Sequence, residues 1–323
     1  MAPMSSNTTV RKLLVMPLSA RTVLLKLSEN PQVRSLLTRN GMSQGLVRRF
    51  VAGEDLPAAL AAARALQTKR IRTALDFLGE NVASEREAAE AADAYIAVLD
   101  ALGEANLADR YVSIKLSALG LDQSSALALS NLRRIMGAAR AQNNAFVRVD
   151  MEGSVYTQRT LDIVRTAHAE YPQIGTVLQS SLRHTDADLR SMIDAGIPIR
   201  LVKGAYAEGP DVAYPLKADV DAAYLRQMRA LLQSGVQAAI ATHDEAILRD
   251  AKRFVRENRI PNHRFEFQML LGIRRDLQES LAEEGYGVRA YVPFGRTWYP
   301  YFMRRLAERP ANVGFILKNM VRP

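Results

Sequence analysis

The sequence contains no cysteine. Disulfides, thiolate metal sites, iron–sulfur clusters and thiol nucleophiles are therefore excluded, and the chain carries no record of an oxidising compartment. Histidine is scarce too: His168, His184, His243 and His263 are the whole complement, and none stands at metal-ligand spacing from another, so no metal site is expected. No apolar run approaches the length of about 20 residues that a transmembrane helix needs, which fits a protein that is soluble or at most peripheral. Neither a G-x-G-x-x-G nor a G-x-x-x-x-G-K-[ST] run occurs, nor a Ser/His/Asp arrangement with an identifiable nucleophile, so hydrolysis and phosphoryl transfer lack their parts. Acidic residues are missing ahead of Glu29, where Arg11, Lys12, Arg21 and Lys26 lie among Ser, Thr and Leu. Organellar transit peptides share that bias, but "ARTVLLKLSENPQVRSLL" also suits an amphipathic helix of the mature protein, and that reading is preferred.

What is present is a chain of 323 residues, 48% of them apolar, enough to bury a large core as two ordinary domains or as one α/β barrel. The net charge of +9 raises nucleic acid and anionic lipid as partners. The pairs Arg48-Arg49, Arg133-Arg134, Arg274-Arg275 and Arg304-Arg305 are far apart, however, and acidic residues interleave most of them. A nucleic-acid partner is not expected from such scatter.

The first seventy residues read as a helical arm, with "LPAALAAARALQTKR" strongly helical by its Ala and Leu content. Short apolar or β-branched runs follow at 72–80, 111–117, 145–152, 174–179, 197–206, 236–244, 263–270 and 287–295. Helical stretches such as "SEREAAEAADAYIAVLDALG" and "VDAAYLRQMRALLQSG" separate them. Strand–helix alternation implies parallel pairing, and eight such units close naturally into a (β/α)8 TIM-type barrel, here over residues 71–323 behind an arm of residues 1–70. An open doubly wound sheet is the alternative, but its dinucleotide fingerprint is absent.

In such a barrel the site forms where strands end and loops begin. The strand ends carry Asp76, Glu80, Lys115, Asp150, Glu152, Gln179, Arg200, Lys203, Thr242, His243, Asp244, Glu266, Gln268 and Tyr291. A buried charge costs several kcal/mol unless it is paired or used, so a whole ring of them points to a site, although any single one can be a structural ion pair. Near the end, "TWYPYFMRRLAERPAN" places Tyr301, Arg304 or Arg305, and Glu308 along one helical face. Adjacent guanidiniums beside a phenol suit a small carboxylate; a solvated face with a surface pair to Glu308 is the plainer reading of that stretch alone. A cationic clamp, a Lys–Asp pair and aromatic walls can hold a small anion against a cofactor that performs the redox step.

The segments "KLSALG", "VDMEGSVYT", "RLVKGAY", "ATHD" and "YVPFGRTWYPYFMRRLAERPAN" resemble, in order and from about residue 72 to residue 319, the motifs of the monofunctional FAD-dependent proline dehydrogenases. The equivalent domain of bifunctional proline utilisation proteins carries them too. The resemblance implies oxidation of L-proline to Δ1-pyrroline-5-carboxylate by hydride transfer to flavin N5. Electrons would then pass to a quinone, and a pyrroline-5-carboxylate dehydrogenase on a separate chain would take the product. It also implies a cytoplasmic location, with contact at a membrane surface, on the matrix side in a mitochondrion.

Carried onto this chain, the resemblance gives Arg304 and Arg305 to the substrate carboxylate, with Glu308 holding an arginine in place. Lys115 would ion-pair with the same carboxylate, and Asp150 would pair with Lys115 or shape the site. Tyr291, Tyr301 and Leu270 would pack over the pyrrolidine ring. Arg200 would lie at the N5 edge of the flavin, and Lys203, Gly204 and Ala205 along the same loop. Gln179, Thr242 and His243 would touch its ring or ribityl chain, Met151 and Val202 would complete the cofactor contacts, and Asp76 and Glu80 would support the site. Two departures bear on flavin binding: Ala207 stands where bifunctional relatives commonly have Trp, and Ser180 and Ser181 follow Gln179 where an aromatic is frequent. Another flavin barrel, of the methylenetetrahydrofolate reductase type, and a basic barrel that only binds stand as alternatives.

Overall fold

The computed structural model describes residues 47–307 except 106, 108 and 207; the amphipathic stretch at 20–37, Ala207 and Glu308 lie outside the described residues. Eight strands alternate with helices: β1 (Arg72–Phe77), β2 (Tyr111–Ile114), β3 (Phe146–Val149), β4 (Ile174–Gln179), β5 (Ile199–Val202), β6 (Ala238–Ala241), β7 (Phe265–Leu270) and β8 (Val288–Phe294). All pair in parallel in sequence order, and β8 closes on β1. The barrel read from the alternation is thus the observed fold, and the open sheet is not. Each strand falls inside its expected run and several are shorter. In the 197–206 run, Pro198 cannot donate to the ladder, and Gly204 at φ +120° turns the chain away.

The helices are α1 (Leu56–Gln67), α2 (Glu85–Glu104), α3 (Ser125–Ala141), α4 (Thr157–Glu170), α5 (Thr185–Asp194), α6 (Lys217–Gln233), α7 (Glu245–Glu257), α8 (Arg275–Glu283) and α9 (Trp298–Ala307). Asp55, Ser84, Ser124 and Asp244 begin α1, α2, α3 and α7 by accepting backbone N–H groups of the first turn, each cap worth about 1 kcal/mol. On α2 the buried Ala88, Ala92, Tyr95, Leu99 and Leu102 recur at three- and four-residue spacing, so one stripe faces the sheet.

Before α1, Ala52 N donates to Pro293 O and Gly295 N donates to Gly53 O, both at 2.9 Å, beside the carboxyl end of β8. The helix then runs back to the amino end of β1, so it covers the seam between β8 and β1. Residues Arg49–Arg296 form one compact unit. Thr297 and α9 belong to a second, in which Trp298 packs edge-on against Tyr299 and Phe302.

Within the barrel, strand register sorts the side chains into two faces. The outward face carries Val112, Ile114, Val147, Val149, Ile199, Leu201, Phe265, Phe267, Val288 and Val292, all buried beneath the helices. The inward face is unusually polar for this architecture, whose interior is ordinarily filled by branched apolar residues. Asp76, Ser113, Arg148, Arg200, Glu266, Gln268 and Arg289 point there and are buried. Arg148 fits because Gly175 is next to it: a Cβ on Gly175 would lie 2.5 Å from both Arg148 Nη1 and Pro198 O.

Candidate active site

The lower part of the lumen holds one charged network. Glu266, the second residue of β7, accepts from Arg289 Nε at 2.8 Å and pairs with Arg72 Nη2 at 3.0 Å. Arg289 Nη2 also reaches Asp109 at 2.6 Å, and the Arg289 guanidinium stacks 4.0 Å from the Tyr111 ring centroid. Burial works against the Glu266 charge, but Arg289 and then Arg72 outweigh it and hold its pKa at about 2. Expected at a strand end facing the mouth, Glu266 belongs instead to this ion cluster at the amino-terminal end. A run such as "HRFEFQML" does not show which end of the strand its carboxylate serves.

Nearer the mouth stand two ion pairs. Lys115, just beyond β2, donates to Asp76 Oδ1 of β1 at 3.0 Å. Asp150, just beyond β3, takes Arg200 Nη1 of β5 at 2.6 Å on Oδ1 and the Tyr291 hydroxyl of β8 at 2.7 Å on Oδ2. The expected pairing of Asp150 with Lys115 is thereby corrected: each has its own partner. The reason is geometric, since strand stagger brings Arg200 across the lumen to Asp150 while Asp76 is adjacent to Lys115 on the neighbouring strand. The Arg200 guanidinium also donates to Ser113 Oγ at 3.0 Å and to Gln268 Oε1 at 2.5 Å, and it lies 5.3 Å from the Tyr291 ring centroid.

The protonation states follow from these contacts. Burial disfavours the Lys115 ammonium, yet Asp76 and other nearby groups hold its pKa well above the ordinary value. Burial likewise disfavours the Arg200 charge, and Asp150 with Tyr111 and Tyr291 raises it in net. Burial and the Asp150 carboxylate both push the Tyr291 phenol far up. All three groups keep their protons through the neutral range, so none of them can act as a base there.

The other predicted strand-end residues are brought to the same rim. Gln179 donates to Glu152 O at 2.9 Å, and its Oε1 accepts Ala205 N at 3.4 Å, so it ties the loop after β3 to the loop after β5. Gly204 sits at φ +120°, where an L side chain is strained, and a Cβ there would also crowd the Ser181 side chain. His243 Nε2 accepts the backbone N–H of Leu270 at 3.0 Å. That nitrogen must therefore be the unprotonated one, and a neutral ring carries its proton on Nδ1. Thr242 is buried and accepts Asp244 N at 3.1 Å; Met151 is buried, and Val202 and Leu270 are half-buried. The Lys203 ammonium points at Asp221 (2.6 Å) and Asp244 (2.8 Å), near the start of α6 and at the cap of α7. On α9, the Arg305 guanidinium lies 5.2 Å from the Tyr301 ring centroid, as expected of residues four apart, and Arg304 and Arg305 are half-buried.

Glu152, one of the expected strand-end residues, accepts the backbone N–H of Ser117 at 3.1 Å and its hydroxyl, pinning the turn after β2; burial raises the Glu152 pKa. Several contributors were not read from the sequence. Glu208 accepts Ser154 N at 2.7 Å and Ser154 Oγ at 2.6 Å, joining the loops after β3 and β5. Ser113, Tyr111 and Arg148 were missed although "YVSIKLS" and "AFVRVDME" alternate polar and apolar residues, the signal of a strand whose inner face is polar.

Comparison with known proteins places this geometry. Residues 59–318 match the family described as proline dehydrogenase. The chain is 44% identical to "Proline dehydrogenase" of Deinococcus radiodurans over 307 residues, 94% of this chain and 98% of that protein. It is 41% identical to "Proline dehydrogenase 1" of Bacillus subtilis subsp. natto over 302 residues, 94% of this chain and 99% of that protein. Among solved structures, proline utilization A (PutA) from Bdellovibrio bacteriovorus, inactivated by N-propargylglycine, superposes with a TM-score of 0.79 at 25% identity. That match covers 90% of this chain and 36% of the longer one, so the chain spans about a third of that protein's length. The chain belongs to the proline dehydrogenase family.

Proposed function

We propose that this chain oxidises L-proline to Δ1-pyrroline-5-carboxylate, the first step of proline catabolism, using bound FAD. The observation that carries the reading is the cluster at the barrel mouth in which Arg200, Asp150 and Tyr291 are locked together beside the Lys115–Asp76 pair. Family membership supplies the substrate.

The donor set fits a flavin. Arg200 offers a fixed cation, and Gln179 and Thr242 offer hydrogen-bonding side chains at the same rim. Lys203, Ala205, His243, Met151 and Val202 line the same rim and complete the proposed cofactor contacts. Bound there, FAD supplies the acceptor for the substrate hydride.

The rest is the work of this chain's residues. Lys115 offers its ammonium to the substrate carboxylate, and Arg304 and Arg305, assigned from the sequence motif, grip the same group. Tyr291 and Leu270 pack on the pyrrolidine ring, while Asp76 and Glu80 support the cations; Tyr301 over the ring and Glu308 beside the arginine pair are, like that pair, assigned from the sequence motif alone. Asp150 fixes Tyr291 and Arg200 with its two oxygens and so orients both. Because Lys115, Arg200 and Tyr291 retain their protons, the substrate amine loses its proton to solvent, and the rate rises with pH as free amine accumulates. A quinone receives the electrons, and a separate dehydrogenase consumes the product. Among the described residues no helix is long and apolar enough to cross a membrane, and the positive surface suits transient contact with anionic lipid from the cytoplasmic side.

The purified protein should be yellow and should bleach anaerobically on addition of L-proline. A colourless protein, or one bleached only by a nicotinamide, would remove the proposal and favour the reductase alternative. Arg200→Met should lower the flavin's reduction potential or weaken FAD binding, and unchanged values would take Arg200 out of the site.

A further inference from the structure

We propose that Gln268 is a positioning residue that sets the plane of the Arg200 guanidinium, with Glu266 in turn fixing which way the Gln268 amide faces. This rests on the reading that Arg200 is the cation presented to the flavin. Gln268 lies on the inner face of β7 and is buried at 3% exposure. Its Oε1 accepts Arg200 Nε at 2.5 Å, and its Nε2 donates to Glu266 Oε1 at 2.5 Å and to the Tyr111 hydroxyl at 3.5 Å.

The amide has only one tolerable orientation. Turned over, it would set its NH2 against a guanidinium N–H and its oxygen against a carboxylate, two repulsive contacts in a site without bulk water. Glu266 is itself held by Arg289 and Arg72, so the orientation is inherited from the ion cluster at the amino end of the barrel. Arg200 is thus bound along three directions: Nη1 to Asp150 on the β3 side, Nη2 to Ser113 of β2, and Nε to Gln268 of β7. A guanidinium is a rigid planar fork, and three bonds to three separate strands define its plane. Two of them act on the terminal nitrogens; Gln268 holds the Nε edge. Remove it, and the fork can tilt about the Asp150–Ser113 edge while keeping its charge. Aimed N–H donors stabilise developing negative charge better than a cation free to tilt.

The test is a double-mutant cycle read on the reduction potential of the bound flavin, measured by dye equilibration in wild type, Gln268→Met, Arg200→Met and the double variant. Gln268→Met is expected to cut the preference for reduced over oxidised flavin several-fold, where tenfold is about 30 mV for a two-electron couple. In the Arg200→Met background the same change is expected to do nothing, because Gln268 acts only through Arg200. A general loosening of the barrel would persist in that background. A wild-type potential in Gln268→Met while Arg200→Met shifts it, or a Gln268→Met effect that survives in the double variant, overturns the inference and leaves the flavin reading standing. An unshifted potential in Arg200→Met overturns both. Should Gln268→Met fail to fold, the wild-type holoenzyme decides: the arginine Nε–H resonance absent from Arg200→Met is expected to exchange slowly with solvent, and rapid exchange overturns the inference.

Discussion

Asp150 uses both of its oxygens on the two groups that flank it, accepting Arg200 Nη1 at 2.6 Å on one and the Tyr291 hydroxyl at 2.7 Å on the other. One carboxylate from the β3 end thereby couples β5 to β8 across the barrel mouth. Asp150→Asn keeps the volume and one acceptor while removing the charge opposite Arg200. Turnover with proline is expected to fall at least tenfold, against a stability loss of about 1–3 kcal/mol for the weakened buried bonds. Steady-state rates set beside thermal melts check this. Activity that falls only in step with melting temperature would make the contact a structural ion pair.

Lys115 and Asp76 form the second pair, with Asp76 fully enclosed. Asp76→Leu leaves a buried ammonium without its anion and is expected to cost about 3–5 kcal/mol in urea unfolding. Lys115→Met in the same chain should recover a good part of that loss, because two apolar groups then face each other. On the proposal that Lys115 meets the substrate carboxylate, the double variant should show no turnover even where stability is recovered. Additive losses in the unfolding cycle would dissolve the pair.

Arg305→Met is expected to raise KM for proline strongly, since truncating one half of a buried charge pair costs about 2–5 kcal/mol, and Arg304→Met should do the same. Both variants should fold and retain FAD. Tetrahydrofuran-2-carboxylate, which keeps the ring and carboxylate but lacks the amine, should lose affinity in parallel with proline. Parent-like inhibitor binding in both variants would leave the pair as surface charge.

Glu266 gives a pH signature. Held at about 2 in the folded chain against an ordinary 4.5, it contributes stability that is fully present above about pH 4.5 and drains away as the pH falls toward 2. The shift corresponds to roughly 3 kcal/mol. The unfolding free energy of wild type relative to Glu266→Gln should therefore shrink between about pH 5.5 and pH 3. A constant difference across that range would mean that Arg289 and Arg72 do not hold the carboxylate ionised.

The strand–helix rhythm, the eight runs and the polar residues at their ends were legible in the sequence because they are local. Period-two alternation, helix-forming composition and cap residues such as Ser84 and Ser124 act over a few positions. The Tyr301–Arg305 contact was legible for the same reason, one helical turn being four residues. Which charges meet across the barrel was not legible. Asp150 finds Arg200 fifty residues on, and Glu266, only two residues before Gln268, turns to the opposite end of the lumen from the mouth. Those outcomes depend on the stagger of eight strands around a closed sheet, which sets the height at which each inward side chain enters the lumen. A carboxylate or guanidinium in the sequence states a need for a partner; closure of the barrel, acting on all eight strands together, decides which partner comes within reach.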